Sequence, residues 1–323
     1  MSKQSVLITG GNSGIGYECA LELAKQGCQV FIASRDKEAS KKAVEKITQE
    51  TKNKFVVAME LDLGCFTSIR RFAKEVEEKN LPINTLICNA AVQMNKTLSL
   101  SPDGYELTFA VNHLGHFLLT NLLLKRLLAN SPARIVVVAS GVHDPKLITG
   151  MPKPFFSDLD SLASTGGSDK NRYNGQLAYV NSKLCNLLFM YELTRRIEKA
   201  KLLNGKKTIT INGYEPGVVP GSGLARDYPF ILRFMWEQVL PVLAYMLSPV
   251  FPMINPAWKS GKALANIAMD TKLKQISGKY FPSHTRWQEA SSSEASYDLE
   301  LANNLWQKSI DMTKLTKKDS PLV

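Results

Sequence analysis

Tyr179 and Lys183 stand four residues apart in an apolar stretch of the chain. On a helix, this spacing places both side chains on the same face. An ammonium group held beside a phenol favours the phenolate and lowers the phenol pKa. Such a Tyr can exchange a proton with a substrate hydroxyl near neutral pH. The pair alone is weak evidence, because a half-exposed Tyr beside a surface Lys has the same spacing by chance.

A glycine-rich turn near the N-terminus predicts a nucleotide site. The apolar run Ser5–Thr9 is typical of a strand, and the residues from Tyr17 to Lys25 have helical spacing. Between them, the glycines of residues 10–16 let the backbone approach a phosphate closely. The N–H groups and the positive dipole end of the new helix then bind a diphosphate. This strand–turn–helix context is stronger evidence than a glycine pattern alone.

The end of the second strand, predicted at Gln29–Ser34, indicates which dinucleotide binds. NAD sites place Asp or Glu there to bind the ribose 2′-hydroxyl. Here Ser34 leaves room, and Arg35 can pair with a 2′-phosphate through charge-assisted hydrogen bonds. Asp36 follows directly and could act on the ribose instead. The sequence therefore favours NADP(H) over NAD(H).

Taken together, these features resemble the short-chain dehydrogenase/reductase superfamily over residues 3–285. The resemblance implies a catalytic tetrad in which Tyr179 is the acid, Lys183 its partner, Ser140 the residue that orients the substrate oxygen, and Asn112 the support of a relay water. It also implies cofactor contacts from Thr9, Gly10, Asn12, Ser13, Gly14, Ile15, Gly16, Arg35, Asp62, Leu63, Asn89, Ala90, Tyr179, Lys183, Pro216, Gly217 and Val219. The cofactor would be NADP(H).

Two branches of the superfamily are closest in sequence. Asn112–Leu124 and Tyr280-Phe281 resemble the retinol-dehydrogenase-like branch. Three short runs and a shared cysteine resemble light-dependent protochlorophyllide reductase, as does the long interval between Ser140 and Tyr179: Asn89–Val92, Lys183–Asn186, Gly223-Leu224 and Cys185.

The chain departs from the family pattern at three positions. Ala91 replaces the usual Gly, and Val111 replaces a Thr of the photoenzyme. Gly221 stands where many relatives have a Thr for the nicotinamide carboxamide, and Ser222 is a candidate substitute.

The resemblance implies an α/β fold with a doubly wound parallel sheet (Rossmann-type) in one domain with a C-terminal substrate lid. Residues 1–140 would mainly bind cofactor, residues 141–285 would hold the catalytic groups and the lid, and residues 286–323 would form a C-terminal helix and tail. Further strands are predicted at Lys54–Asp62, Thr85–Ala90, Arg134–Ser140 and Thr208–Glu215. Met151–Gly175, rich in Pro, Ser, Gly and Asp, predicts a long loop.

Composition narrows the partners and the compartment. The net charge of +11, from 40 basic and 29 acidic residues, fits an anionic cofactor and also an acidic membrane surface. The basic residues are scattered and form no nucleic-acid motif. The five cysteines show no framework spacing, which indicates reduced thiols. A strand begins at once after the first residues, so we expect a cytoplasmic protein without a signal peptide. The oligomeric state stays open.

Residues 228–256, here called the lid segment, are strongly apolar but interrupted by Pro241, Pro249 and Pro252. A membrane-spanning helix needs about 20 unbroken apolar residues, so we expect no span and no single rigid helix. Three interpretations stay open. The segment closes over an apolar substrate, it also dips into a membrane interface, or it packs in the core.

The histidines of His113-Leu-Gly-His116 are interpreted as satisfied helix residues, because a metal site needs more donors than this pair supplies. No metal is predicted. The sequence thus predicts carbonyl–alcohol interconversion on a bulky lipophilic substrate that is retinoid-, steroid- or isoprenoid-like. Its rivals are light-driven reduction of a tetrapyrrole and a non-catalytic dinucleotide-sensing or scaffold protein.

Overall fold

The structure is a computed structural model that describes residues 4–94, 97–169, 172–203, 208–223 and 230–323. In these residues a seven-stranded parallel sheet has the order β3-β2-β1-β4-β5-β6-β7. Its strands are β1 (Ser5–Thr9), β2 (Gln29–Ser34), β3 (Val56–Glu60), β4 (Thr85–Cys88), β5 (Ala133–Val138), β6 (Ile209–Glu215) and β7 (Lys279–Pro282). The predicted doubly wound Rossmann-type sheet in a single domain is confirmed.

Helices cover both faces of this sheet and divide the core in two. One core cluster packs under α1 (Gly14–Lys25), α2 (Lys37–Thr51) and α10 (Ala257–Met269). The larger cluster lies on the other face, under α3 (Phe66–Glu78), α5 (Gly115–Ala129), α7 (Gly175–Lys199) and α11 (Leu299–Thr313). The central strands β1, β4 and β5 are buried along their whole length because both faces are covered.

Three predicted strands run past the observed ends at the carboxyl edge of the sheet. β3 ends at Glu60, not Asp62. β4 ends at Cys88, not Ala90, and β5 ends at Val138, not Ser140. Asn89 and Ala90 leave the sheet because their N–H groups donate to Thr9 Oγ1, at 2.9 and 3.0 Å. The polar residues that follow the strands therefore turn toward one another at the edge where ligands bind in such sheets.

The sequence predicted a long loop at Met151–Gly175, but the stretch is not all loop. It contains the short helix α6 (Leu159–Thr165). Asp158 caps its N-terminus by accepting a hydrogen bond from Ser161 N at 2.6 Å, and Gly166 ends it with φ +67°. Acidic capping residues and a C-terminal glycine are ordinary helix signals, but the surrounding Pro and Ser residues obscured them.

The lid segment forms one helical run, Phe230–Leu247 (the lid helix), where the prolines predicted interruption. It consists of α8 (Phe230–Phe234), a π-helical turn (Met235–Val239) and α9 (Leu240–Leu247). Pro241 lies in the first turn of α9, where its missing N–H costs little. Residues 228 and 229 lie outside the described part of the chain.

Two helical runs of the described residues are long and apolar enough to span a membrane by length and composition. Leu107–Ala129 is 89% buried, as expected of a core helix, whereas the lid helix is only 6% buried. This exposure excludes the interpretation that the lid helix packs in the core. Both runs contain a π-helical turn, a feature often found at functional sites.

Candidate active site

Tyr179 and Lys183 lie in the first turns of α7, whose N-terminus is capped by Asn174 Oδ1, at 3.1 Å from the backbone N–H groups of Gln176 and Leu177. Both are buried, at 6% and 2% exposure. Lys183 Nζ lies 5.5 Å from the centre of the Tyr179 ring and donates to Val138 O at 3.3 Å. Burial lowers the pKa of Lys183 to about 8. The predicted spacing thus gives a cation beside a phenol in a site shielded from solvent.

Asn112 lies in the π-helical turn Ala110–Leu114, between α4 (Leu107–Phe109) and α5. Its Oδ1 accepts from Val92 N at 2.8 Å, and its Nδ2 donates to Val92 O at 3.0 Å and to Ser182 Oγ at 2.9 Å. Ser182 precedes Lys183, so this side chain joins the π-helical turn to α7. Both hydrogens of this amide are used within the protein, so the side chain positions the π-helical turn against α7.

His116 connects this turn to the cofactor side of the site. Its Nδ1 lies 3.1 Å from Asn112 O and its Nε2 lies 2.9 Å from Thr9 Oγ1. A carbonyl only accepts, so Nδ1 carries the proton and the Thr9 hydroxyl donates to Nε2. Burial lowers the pKa of His116 to about 4, which keeps the ring neutral. Sequence reasoning assigned His116 no part in the site, although the H-x-x-H pattern had marked its position.

His113 points away from the edge, toward α11. Its Nε2 lies 3.0 Å from Ser309 Oγ, and burial lowers its pKa to about 3. The described residues contain no group of three or more His, Cys, Asp or Glu side chains that could hold a metal ion.

Ser140 follows β5 by two residues and lies at the same edge as Lys183, because Lys183 binds the carbonyl of Val138. Its own carbonyl accepts from His143 Nδ1 at 2.6 Å, and His143 Nε2 accepts from Ser293 N at 3.2 Å. His143 therefore fixes the backbone of the Ser140 turn against the C-terminal part of the chain.

The glycine turn is shaped for close backbone contact. Gly10 has φ +67°, and a Cβ on Gly16 would lie only 2.3 Å from Gly10 O. Asn89 Nδ2 donates to Thr9 O at 2.8 Å, which locks the turn to β4. Ser13 is the N-cap of α1 but its side chain makes no capping hydrogen bond. The first N–H groups of α1 are therefore available to an anionic ligand.

At the end of β2, Ser34 Oγ lies 2.6 Å from Ser40 Oγ, and Arg35 is exposed with no ion-pair partner among the described residues. Asp36 caps α2 by accepting from Ala39 N at 2.9 Å, so one of its oxygens is occupied within the helix. Asp62, after β3, uses Oδ1 to accept from Gly64 N at 2.9 Å, and its other oxygen has no hydrogen-bond donor among the described residues.

The turn after β6 lies at this edge too. Gly217 has φ +83°, and a Cβ there would lie 2.6 Å from Met253 O, so only glycine fits. Ser260 Oγ donates to Pro216 O at 2.8 Å. Ser222 Oγ is buried without a hydrogen-bond partner among the described residues, as expected of a donor reserved for a ligand. Leu224, which carried part of the photoenzyme resemblance, lies outside the described residues.

The apolar residues that were predicted to contact the cofactor mostly bury their side chains in the protein. Leu63 and Val219 are buried, and Ile15 packs against the core cluster beneath α1. Leu63 and Val219 would therefore contact a dinucleotide through their backbone. The uncapped helix, the close glycine turn and the unpaired Ser222 hydroxyl together fit a nicotinamide dinucleotide.

Comparisons with known proteins agree with this geometry. The family described as short chain dehydrogenase matches residues 4–150. The chain is 35% identical over 313 residues to retinol dehydrogenase 13 of Homo sapiens, which covers 97% of this chain and 85% of the relative. It is 39% identical over 278 residues to retinol dehydrogenase 12 of Bos taurus, which covers 85% of this chain and 76% of the relative.

A solved structure described as an uncharacterised protein from Mycobacterium paratuberculosis superposes with a TM-score of 0.67 at 30% identity, covering 96% of this chain and 93% of that one. Sequence and structure therefore agree over nearly the whole chain. The protein belongs to the short-chain dehydrogenase/reductase family of oxidoreductases, which act with a nicotinamide dinucleotide, and it resembles the retinol-dehydrogenase-like branch.

Proposed function

We propose that the protein is an NADP(H)-dependent oxidoreductase that interconverts a carbonyl and an alcohol on a bulky lipophilic substrate. The observation that carries this proposal is the buried Lys183 ammonium beside the Tyr179 ring, at the sheet edge that also holds the glycine turn. A buried cation of this kind serves a proton-transfer step more readily than it serves stability, because burying it costs free energy.

The bound dinucleotide would supply or accept a hydride at the substrate carbon. In the reducing direction Tyr179 donates its hydroxyl proton to the developing alkoxide, and Ser140 hydrogen-bonds the same oxygen and orients it. Lys183 stabilises the phenolate that remains. Asn112 would support the relay water that resupplies Lys183, and its side-chain hydrogen bonds to Val92 and Ser182 hold the π-helical turn in position. The same groups serve the oxidation in reverse.

The preference for NADP(H) is supported by the end of β2. Arg35 is exposed and unpaired within the described chain, and a guanidinium binds phosphate oxygens through strong charge-assisted hydrogen bonds. Asp36, the residue that would favour a free ribose hydroxyl, is partly occupied as the cap of α2.

The lipophilic substrate class is supported by the lid helix. Phe230, Ile231 and Tyr245 are among its exposed side chains, and large exposed apolar surfaces usually mark a binding site. Trp236 connects the helix to the site, since its Nε1 donates to Ser222 O at 3.0 Å. We also propose that this helix makes a peripheral contact with a membrane surface from the cytoplasmic side. The five cysteines form no disulfide, which suits a reducing compartment.

The test is a panel of lipophilic aldehydes and ketones with NADPH loss followed at 340 nm in the dark. We expect turnover of at least one retinoid-, steroid- or isoprenoid-like carbonyl, and slower turnover with NADH. Absence of dark turnover across the panel, with intact NADPH binding, would instead support the non-catalytic sensor.

Light-driven reduction of protochlorophyllide is tested in the same assay by illumination. The photoenzyme's matching thiol, Cys185, is fully buried, and burial raises its pKa well above the ordinary value. Such a thiol is a poor proton donor to a ligand. A pigment absorbance change that appears only on illumination would overturn the carbonyl assignment.

A further inference from the structure

Glu215 is a buried carboxylate to which the mechanism above gives no part. It is the last residue of β6, directly before Pro216 and Gly217, and only 5% of it is exposed. Its Oε1 accepts from Gly217 N at 2.6 Å, and its Oε2 accepts from Ser283 N and Ser283 Oγ, each at 2.8 Å. Every one of these contacts is a donor, an arrangement that suits an ionised carboxylate.

The carboxylate lies between two segments of the site. On one side is the turn that begins at Pro216, which it holds through Gly217 N. On the other is the turn after Ser140, because a Cβ on Gly141 would lie 3.7 Å from Glu215 Oε1. Both segments belong to the edge that would hold the nicotinamide end of the cofactor.

The charge of Glu215 acts over distance in this buried setting. Burial raises the pKa of Tyr280, and the negative charge of Glu215 raises that pKa further. Charges in the protein interior are screened much less than charges on the surface. Lys183, the cation of the catalytic group, donates to Val138 O on β5 and not to this carboxylate.

We infer that the Glu215 carboxylate sets the relative affinity of the site for the oxidised and reduced cofactor. This inference rests on the dinucleotide binding of the proposed function. The dinucleotide would supply a hydride to the carbonyl carbon, and its nicotinamide ring is positively charged in the oxidised form and neutral in the reduced form. A fixed negative charge at this edge stabilises the oxidised, positive ring and has little effect on the reduced, neutral ring. Bound NADPH is then the stronger hydride donor, which favours reduction.

A purely structural part for Glu215 makes a different prediction. Its hydrogen bonds hold the Gly217 turn against Ser283, and Trp287 Nε1 adds a third tie by donating to Glu215 O at 3.0 Å. A carboxylate that only fixes this turn would affect the binding of both redox states equally. A carboxylate that acts through its charge changes the ratio of the two affinities.

The experiment measures equilibrium dissociation constants for NADPH, by its fluorescence, and for NADP⁺, by competition. Glu215→Gln removes the charge and keeps the shape, so we expect the ratio Kd(NADP⁺)/Kd(NADPH) to rise roughly three- to tenfold. Ser283→Ala is the matched control, because it removes one donor to the same carboxylate and leaves the charge. It should weaken both forms together and leave the ratio within about twofold.

A second pair guards against misfolding of the Gln variant. Glu215→Asp keeps the charge and should retain the ratio of the unmodified protein, whereas Glu215→Asn should raise it. An unchanged ratio in a neutral variant that binds both forms, or an equal change in Ser283→Ala, overturns the inference. Failure of the unmodified protein to bind either form refutes the cofactor assignment instead, so the two failures are distinguishable.

Discussion

The carboxyl edge of the sheet, where the cofactor would bind, and the lid helix present their functional residues in opposite ways. At the edge, Thr9, Asn112 and His116 are buried and joined to one another by hydrogen bonds before any ligand arrives. The lid helix, in contrast, carries exposed Phe, Ile, Leu and Met side chains and is 6% buried. It is connected to the edge mainly near Trp236, whose carbonyl accepts from Gly221 N at 2.8 Å.

This difference indicates how the two regions are stabilised. A satisfied buried network fixes the positions of its members and needs no ligand. An exposed apolar helix gains free energy only when something covers it, at about 25 cal/mol per Å² of apolar surface. We therefore expect substitutions at the edge to act on chemistry and cofactor choice, and changes in the lid helix to depend on ligand or lipid.

The largest effect is expected from Tyr179→Phe. The variant keeps the buried ring beside Lys183 but has no proton to give, so turnover should fall about 10²- to 10⁴-fold. NADPH binding, followed by fluorescence, should change little. Tyr105→Phe, which removes a hydroxyl that donates to Met312 O on α11, is the matched control and should retain activity. Near-normal turnover in Tyr179→Phe would refute the assigned acid.

The pH profile tests whether Lys183 must be charged. Its pKa is lowered from 10.5 to about 8 by burial, so the ammonium is lost as pH rises through 8. In the reducing direction, kcat/KM should therefore fall above pH 8, approaching tenfold per pH unit. Stability should change with pH in the opposite direction. Between pH 8 and 10.5 the unfolded chain binds one more proton at this Lys than the folded chain does, so the free energy of unfolding rises with pH there.

A positive charge that does not titrate at position 183 tests whether the decline above pH 8 comes from Lys183 or from another group. Arg stays protonated throughout this range, so Lys183→Arg, where it folds, should lose the decline above pH 8 even at lower absolute activity. A decline that persists unchanged in Lys183→Arg would assign the titration to another group.

The preference between NADPH and NADH should depend on Arg35, which is exposed at the end of β2. One charge-assisted contact to phosphate contributes roughly 1.5–3 kcal/mol, so we expect NADPH to be preferred over NADH by at least about tenfold. Arg35→Ala should remove most of that preference by weakening NADPH and not NADH. Lys79→Ala, an exposed cation at the end of α3, should leave it intact. Equal use of both cofactors by the unmodified protein would contradict the assignment.

Much of the edge could be predicted because its signals are local. The spacing of Tyr179 and Lys183 and the glycines of residues 10–16 determine their own neighbourhood on the chain. The contacts that join these pieces are long-range, and neither residue spacing nor composition indicates them. His116 lies 107 positions from Thr9, and Ser182 lies 70 positions from Asn112. Neither partner was predicted.

The prediction for the local structure of the lid segment was wrong at Pro241, for a different reason. Pro249 and Pro252 lie beyond the last residue of α9, as expected of breaks. Pro241 was interpreted in the same way, but the π-helical turn at Met235–Val239 leads into α9, so that Pro241 falls in a first turn. Helix 230–247 is therefore continuous. Proline position relative to a helix start cannot be read without knowing where that start is.

The smallest and most informative effect concerns amide exchange in the lid helix. With few buried contacts, the amides of residues 230–247 should exchange faster than those of β1 and β4 in the protein without substrate. Adding the best lipophilic substrate to the cofactor complex should slow them several-fold, and more than it slows residues 10–16, which the cofactor already holds. The neighbouring helix α10 is largely buried and serves as the internal control, with no change expected.

Phospholipid vesicles distinguish the two remaining explanations of the exposed lid helix, which are closure over a substrate and contact with a membrane. Slower exchange with substrate alone supports a lid that closes over an apolar ligand. Slower exchange with phospholipid vesicles in the absence of substrate supports contact with a membrane, and the fluorescence of Trp236 and Trp258 should shift in the same arm. If the lid helix is as protected as the central strands without either addition, its apolar side chains are already covered. The argument for a lipophilic substrate then loses its main support.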